Sequence, residues 1–152
     1  MTKEEKYSQL VTQVRALAEG EDDAISVMAN VAALIHEEMK FWWTGFYIVR
    51  DDGMLHLGPF QGPVACYRIA RGRGVCGTAL ERAETIVVPD VEQFPGHIAC
   101  SSESRSEIVV PLLAHDGAVL AVLDIDSREL ATFDATDKRH LEAIAAVVAP
   151  LL

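Results

Sequence analysis

The sequence predicts an α+β fold: one antiparallel sheet with the N- and C-terminal helices packed against a single face. Three observations predict it. Two stretches with apolar residues at helical spacing come first, β-branched segments with Asp-Gly turns follow, and a third amphipathic helix comes last. At 152 residues, the chain is long enough to bury a sizeable core as one domain, 1–152.

The three long helices are bounded by recognisable capping residues. The first begins behind Thr2 and ends at Gly20, the second begins at Asp22 or Asp23, and the last is capped by Asp134. Apolar spacing predicts which side of each helix faces the core. These predicted stripes are Leu10, Val14 and Leu17; then Ile25, Met28, Ala32, Ile35 and Met39; and finally Leu141, Ile144, Ala145 and Val148.

Shorter elements fill the middle of the chain. The aromatic and β-branched run Phe41–Val49 predicts a strand, which Asp52-Gly53 turns into a short partner, Met54–Leu57. Glycine and proline in residues 58–77 indicate a structured loop. Beyond it we expect a short helix, a strand and an irregular polar segment. The remaining predicted elements are a strand near Tyr67–Ala70, a helix at Thr78–Arg82, a strand at Thr85–Val88 and the irregular segment Asp90–Ser106.

A β-hairpin centred on Asp116-Gly117 gathers three acidic residues. Asp-Gly between two apolar runs is a strong hairpin signal, and this centre places Glu107 opposite Asp126. Alternation along the strands then puts Glu107, Asp124 and Asp126 on one face. Like charges placed opposite each other destabilise a sheet, so their grouping indicates a functional site. The alternative is an acidic solvent-facing surface in a chain of net charge -10.

Pro111 complicates this register. Proline has no N–H for the ladder, so it favours an edge strand or a bulge. A bulge between the turn and Glu107 would shift the pairing by one residue.

Composition excludes several classes of function. Because 23 acidic residues oppose 13 basic ones, nucleic acid and anionic membranes are poor partners. The N-terminal segment resembles the start of a polar helix and does not resemble a signal peptide. No apolar run is long enough to span a bilayer. Three cysteines do not suggest a disulfide-stapled secreted scaffold. We therefore expect a cytoplasmic protein without a membrane partner.

Two motif interpretations are weak. Residues 72–77 fit G-x-G-x-x-G, but the hairpin-joined strands around them do not provide the βαβ crossover of a dinucleotide site. A glycine-supported turn is the better interpretation. Cys66, Cys76, Cys100 and His97 invite a zinc interpretation, yet their spacings match no structural zinc module. We expect neither a bound cofactor nor a metal.

The cysteines favour thiol redox chemistry over inert packing. All three lie in Gly-, Pro- or Ser-rich sequence typical of loops, where reactive groups are often displayed. A thiol beside a carboxylate cluster, with further thiols nearby, suggests a nucleophile that is oxidised and then resolved as a disulfide.

In the aromatic run, Trp43, Gly45 and Tyr47 share one strand face. This arrangement is equally compatible with two interpretations. The rings could pack in the core, or they could form the wall of a pocket with a hollow at Gly45.

With these residues in view, the chain resembles the free methionine-(R)-sulfoxide reductases, which are single GAF-domain enzymes. The resemblance extends from about Trp43 to the C-terminal helix. It implies a GAF-like antiparallel sheet of about six strands, a homodimer, reduction of the free amino acid and turnover by thioredoxin. The segments that carry it are WTGFY (43–47), LGPFQGPVAC (57–66), IARGRGVCG (69–77), VPDVEQFPGHIAC (88–100), SEIVVPL (106–112) and VLDIDS (122–127).

The resemblance also assigns roles by position. Cys100 matches the nucleophile, Cys66 the main resolving thiol, and Cys76 a third cysteine that can take part. The acidic trio matches the family's active-site carboxylates, and Trp43 and Tyr47 match the wall around the substrate's methyl group. The rival hypothesis is a non-catalytic GAF module that senses a small molecule or redox state. An acidic face counts against a phosphate-bearing ligand for such a module.

Overall fold

The computed structural model of the chain describes residues 1–97 and 103–152. None of the helices in these two segments is long and apolar enough to cross a membrane. The helices are α1 (Lys3–Ala18), α2 (Ala24–Met39), α3 (Gly74–Arg82) and α4 (Ala135–Val148); the strands are β1 (Trp43–Val49), β2 (Leu55–Gln61), β3 (Arg68–Ile69), β4 (Ile86–Val88), β5 (Ser106–Leu113) and β6 (Val119–Ser127).

The six strands form one antiparallel sheet in the order β3-β2-β1-β6-β5-β4. Its two faces cover different cores. Phe46 and Ile48 of β1 pack with α1, α2 and α4, whereas Trp43 and Tyr47 pack on the opposite side with α3. The predicted α+β fold, with the terminal helices on a single face, is confirmed.

A buried carboxylate joins the two ends of the chain. Asp134 caps α4 through a capping box with Asp137. The Asp137 carboxylate is fully buried and accepts hydrogen bonds from the Tyr7 hydroxyl at 2.6 Å and the Lys3 ammonium at 2.7 Å. Because a buried charge is tolerated only when it is paired and hydrogen-bonded, this network fixes α1 against α4.

Two predicted core residues are exposed. Leu17 is 36% exposed and Ile25 is 49% exposed. Both lie in the turns that flank the α1–α2 connection, where Gly20 has φ +76°. The ends of the two helices extend past the packed region there, so the helical spacing continues beyond the buried stripe. The predicted stripe on α4 is entirely buried, as expected.

Two elements, β2 and α3, are longer than predicted because they contain proline or glycine. β2 continues to Gln61, beyond the predicted end at Leu57, because a register shift opposite Gly45/Tyr47 accommodates the proline within it. α3 begins at Gly74, one turn before the prediction. A Cβ at Gly77 would lie 2.4 Å from the Ala70 carbonyl oxygen, so glycine is required for close packing and does not break the helix.

The predicted hairpin register is confirmed along the site. Glu107 pairs with Asp126 and Val109 pairs with Asp124; the irregularity lies nearer the turn, between Leu112 and Leu113. The edge-strand interpretation of Pro111 is wrong, since β5 lies between β4 and β6. β4 pairs with β5 only as far as Val109, so on that side no strand lies opposite Pro111.

Candidate active site

The sheet register places the acidic trio beneath one cavity. Glu107 comes from β5 and Asp124 and Asp126 from β6, while β1 places Trp43 opposite Asp126 on the other side. Glu107 and Asp124 are each only 6% exposed, and Asp126 is half-buried. The alternative of an acidic solvent-facing surface is therefore wrong. All three line a cavity of about 50 Å³, which has room for several water-sized groups.

Trp43 and Tyr47 form an aromatic wall of this cavity. Their ring centroids are 6.0 Å apart, and Trp43 also stacks on Phe60 at 5.2 Å. The predicted hollow at Gly45 is absent: a Cβ there would lie 2.6 Å from the Trp43 ring and 2.4 Å from the Phe60 Cβ. The glycine thus lets the indole lie flat on the sheet, and the open space lies beyond the rings.

Burial sets the protonation of the trio. Loss of hydration raises the pKa of Glu107 and of Asp126 well above their usual values, and the charge of Asp124 raises both further. Burial also raises the pKa of Asp124. Hydrogen bonds from Glu107, Cys76 and Asp126 to its carboxylate act in the opposite direction. These directions make Asp124 the first of the three to ionise, with Glu107 and Asp126 keeping their protons to higher pH.

Asp124 also has an oxygen that no described group satisfies. Its Oδ1 is buried and has no hydrogen-bond partner within residues 1–97 and 103–152. An unsatisfied buried acceptor costs about 1–3 kcal/mol, more when it is charged. The arrangement therefore favours a ligand that brings a cationic donor to this oxygen.

Cys76 lies in α3, contrary to the predicted loop position, because that helix begins early. Its thiol is free and 4% exposed, and burial, followed by the charge of Asp124, raises its pKa well above the usual value. The thiol is therefore protonated at neutral pH. Its Sγ and one carboxylate oxygen each from Glu107 and Asp124 lie within 4.8 Å of one another, which makes these groups possible ligands for a metal ion.

The other two cysteines are placed differently. Cys66 lies in the irregular segment between β2 and β3, half-buried, and its carbonyl accepts a hydrogen bond from the Tyr47 hydroxyl at 3.0 Å. Its neighbour Ala65 lines the cavity. Cys100 lies outside the described residues, so its predicted position beside the trio stays a prediction. The structure does bring Cys76 and the trio together.

Three polar residues that line the cavity are not among the predicted site residues, although His97 was considered and rejected as a zinc ligand. His97 Nε2 lies 4.0 Å from Glu107 Oε1, and burial lowers the pKa of its imidazole. Ser104 donates a hydrogen bond to Asp126 Oδ1 at 3.0 Å. Arg73 precedes α3, whose N-terminus has no side-chain cap. The glycines around Arg73 were the available signal, since glycine-rich turns before helices often expose N–H groups to anions.

The predicted glycine-supported turn covers only the start of the G-x-G-x-x-G segment, at Gly72 and Arg73, because residues 74–77 belong to α3. The Gly72 N–H donates to the Gly77 carbonyl at 2.9 Å, and Gly72 has φ +79°. This turn directs the start of α3, including Gly74 and Val75, to the cavity. The segment therefore places helix N–H groups at the site.

Comparison with known proteins shows extensive similarity. The GAF domain family profile matches residues 21–152. The chain is 52% identical to GAF domain-containing protein A of Dictyostelium discoideum, covering 94% of this chain and 90% of that protein. It is 43% identical to the free methionine-R-sulfoxide reductase of Saccharomyces cerevisiae, covering 97% and 86%. A solved structure of the free methionine-R-sulfoxide reductase from Neisseria meningitidis, in complex with its substrate, matches with a TM-score of 0.96 at 45% identity, covering 99% and 90%.

Proposed function

The chain belongs to the GAF domain family, and on that premise we propose that it reduces free L-methionine (R)-S-oxide to L-methionine. The observation that carries the proposal is the acidic trio, with Glu107 and Asp124 buried, under an aromatic-walled cavity in a chain 43% identical to a free methionine-R-sulfoxide reductase. Each part of such a substrate has a chemically suitable partner at this site.

Asp124 recognises the substrate's ammonium group. Its Oδ1 is buried and has no hydrogen-bond partner in the described part of the chain, so a cationic donor gains more at this carboxylate than in water. A methionine sulfoxide inside a peptide has no ammonium group and would leave this oxygen unsatisfied. The carboxylate therefore selects the free amino acid.

The start of α3 and Arg73 recognise the substrate's carboxylate. The first N–H groups of a helix have no intrahelical partner and carry a partial positive charge. Gly74 and Val75 line the cavity at this end, and Arg73 adds a guanidinium group. An α-amino acid thus meets both an anionic and a cationic partner in this cavity, with Trp43 and Tyr47 against its methyl sulfoxide end.

The chemistry combines a thiolate with a neutral acid. The Cys100 thiolate attacks the sulfoxide sulfur, while Glu107 or Asp126, protonated by burial, supplies a proton to the departing oxygen. Oxygen is transferred, so methionine leaves with two more electrons and Cys100 becomes a sulfenic acid. Cys66 then attacks the sulfenic sulfur, forming a disulfide and releasing water. Cys76 is a less suitable resolving thiol because its pKa is raised.

Regeneration and assembly complete the proposal. Thioredoxin, a dithiol of low reduction potential, reduces the disulfide in a cytoplasmic setting, and no dissociable cofactor takes part. We further propose a homodimer. Reduction of the purified disulfide form by thioredoxin, and the mass of the protein in solution, test these two points separately.

The main experiment supplies racemic free methionine sulfoxide with dithiothreitol and measures methionine. We expect half of the substrate to be consumed. Cys100→Ser should be inactive. Cys66→Ser, with thioredoxin in place of dithiothreitol, should release roughly one methionine per chain and then stall. Binding of the sulfoxide without methionine release would favour a sensory module. Sustained turnover by Cys100→Ser would contradict the assigned nucleophile.

A further inference from the structure

Cys76, Glu107 and Asp124 form a compact set of metal-ligand atoms from three elements. Helix α3, strand β5 and strand β6 each supply one, and the three atoms lie within 4.8 Å of one another. All three residues are buried. The buried Oδ1 of Asp124, which has no partner among the described residues, is an independent sign that a cation or donor belongs here.

We propose that this set binds Zn²⁺ when the substrate is absent, and that the bound ion excludes the substrate. A thiolate with two carboxylates suits a borderline-soft ion, whereas Mg²⁺ and Ca²⁺ prefer oxygen alone. Tetrahedral zinc, with Zn–S of about 2.3 Å and Zn–O of about 2.0–2.2 Å, holds its donors roughly 3.3–3.8 Å apart. Small side-chain rotations would close the observed set to that spacing.

His97 or a water molecule completes the coordination. His97 Nε2 lies 4.0 Å from Glu107 Oε1 and lines the same cavity. Binding displaces the protons of Cys76 and of any protonated carboxyl ligand into solvent, so no oxidant or reductant is needed. The ion would bind the same Asp124 carboxylate that is assigned above to the substrate's ammonium group, which makes the two ligands competitors.

The cysteine spacing along the chain does not predict this site. It is assembled from one cysteine and two acids that the fold brings together, so it differs from the structural zinc modules considered above. The zinc site depends only on these ligand positions, whereas the competition also rests on the proposed function, which assigns Asp124 to the substrate's ammonium group.

Cobalt titration tests the site without an activity readout. The protein carries Cys66→Ser and Cys100→Ser, which leaves Cys76 as its one thiol, and it is first treated with chelator. We expect Co²⁺ to produce a near-ultraviolet thiolate charge-transfer band that Zn²⁺ abolishes and excess Mg²⁺ does not. Adding Cys76→Ser should remove the band, and Asp124→Asn should weaken binding by at least about tenfold.

Two controls keep the outcome clear. His56→Ala, which alters an exposed His-Asp pair remote from the cavity, should leave the cobalt affinity unchanged. In the unaltered, chelator-treated chain, Zn²⁺ should raise the melting temperature, and Asp124→Asn should lose that rise. Cobalt binding without a thiolate band, or equal binding after Cys76→Ser, would overturn the zinc site. Failure of free methionine sulfoxide to displace cobalt would overturn the competition.

Discussion

Replacing Glu107 by glutamine should stabilise the fold while removing the proposed activity. Glutamine keeps the shape and can still donate a hydrogen bond to Asp124, but it cannot ionise. The pKa of Glu107 is raised in the folded chain from a usual value of 4.5. Its stabilising contribution is therefore complete below the unfolded pKa and is lost as pH rises toward the folded pKa.

The size of the effect follows from linkage. Between the unfolded and folded pKa values, this one group lowers the free energy of unfolding by about 1.4 kcal/mol per pH unit. Two carboxylates about 5 Å apart would repel by about 3 kcal/mol at an effective dielectric constant near 20. We expect Glu107→Gln to gain about 1–3 kcal/mol near pH 7. For a chain of this length, that gain raises the melting temperature by about 3–10 °C.

Thermal unfolding from pH 5 to pH 9, in chelator and reductant, measures this gain. The advantage of Glu107→Gln should grow with pH across that range. Glu38→Gln, on an exposed part of α2, is the matched control and should show no such trend. A Glu107→Gln protein that melts below the parent chain at every pH would refute the inference that the trio strains the fold.

Three further substitutions separate the parts of the site. Trp43→Ala should cost about 3–5 kcal/mol of stability and raise KM, whereas Phe133→Ala, in the opposite core, should destabilise without the KM change. Tyr47→Phe keeps the cavity wall but loses the 3.0 Å bond to the Cys66 carbonyl; rapid-mixing assays should show normal first release of methionine and slower disulfide formation. Tyr7→Phe removes the hydroxyl that donates a hydrogen bond to the buried Asp137 carboxylate of α4. It should lower the free energy of unfolding by about 1–2 kcal/mol and leave kcat/KM unchanged.

The carboxylate cluster could be predicted because local chemistry determines it. Asp116-Gly117 fixes the turn, strand pairing carries its register to Glu107, and alternation assigns the face. The shift near the turn involves Leu113 and leaves the register at the site unchanged. The α4 cap at Asp134 was equally accessible from sequence, since its hydrogen bonds are local.

Tertiary packing determined what the sequence could not show. Gly74 and Gly77 suggested a loop. Position 77 requires glycine because the backbone of a neighbouring segment passes close to it, and both glycines lie in α3. The helix therefore places Cys76 in the core. The contact between His97 and Glu107 joins residues from separate elements, and no spacing rule links them. Trp43 and α3 likewise line the same cavity as the acids, although they come from separate parts of the chain.

The most direct test of the central claim compares two substrates that differ only at the amino group. With dithiothreitol, the chain should reduce the R epimer of free methionine sulfoxide and leave N-acetyl-methionine sulfoxide almost untouched, because Asp124 would have no ammonium group to bind. Equal reduction of both compounds, or of neither, would contradict the proposal that this buried carboxylate recognises the free amino acid during catalysis.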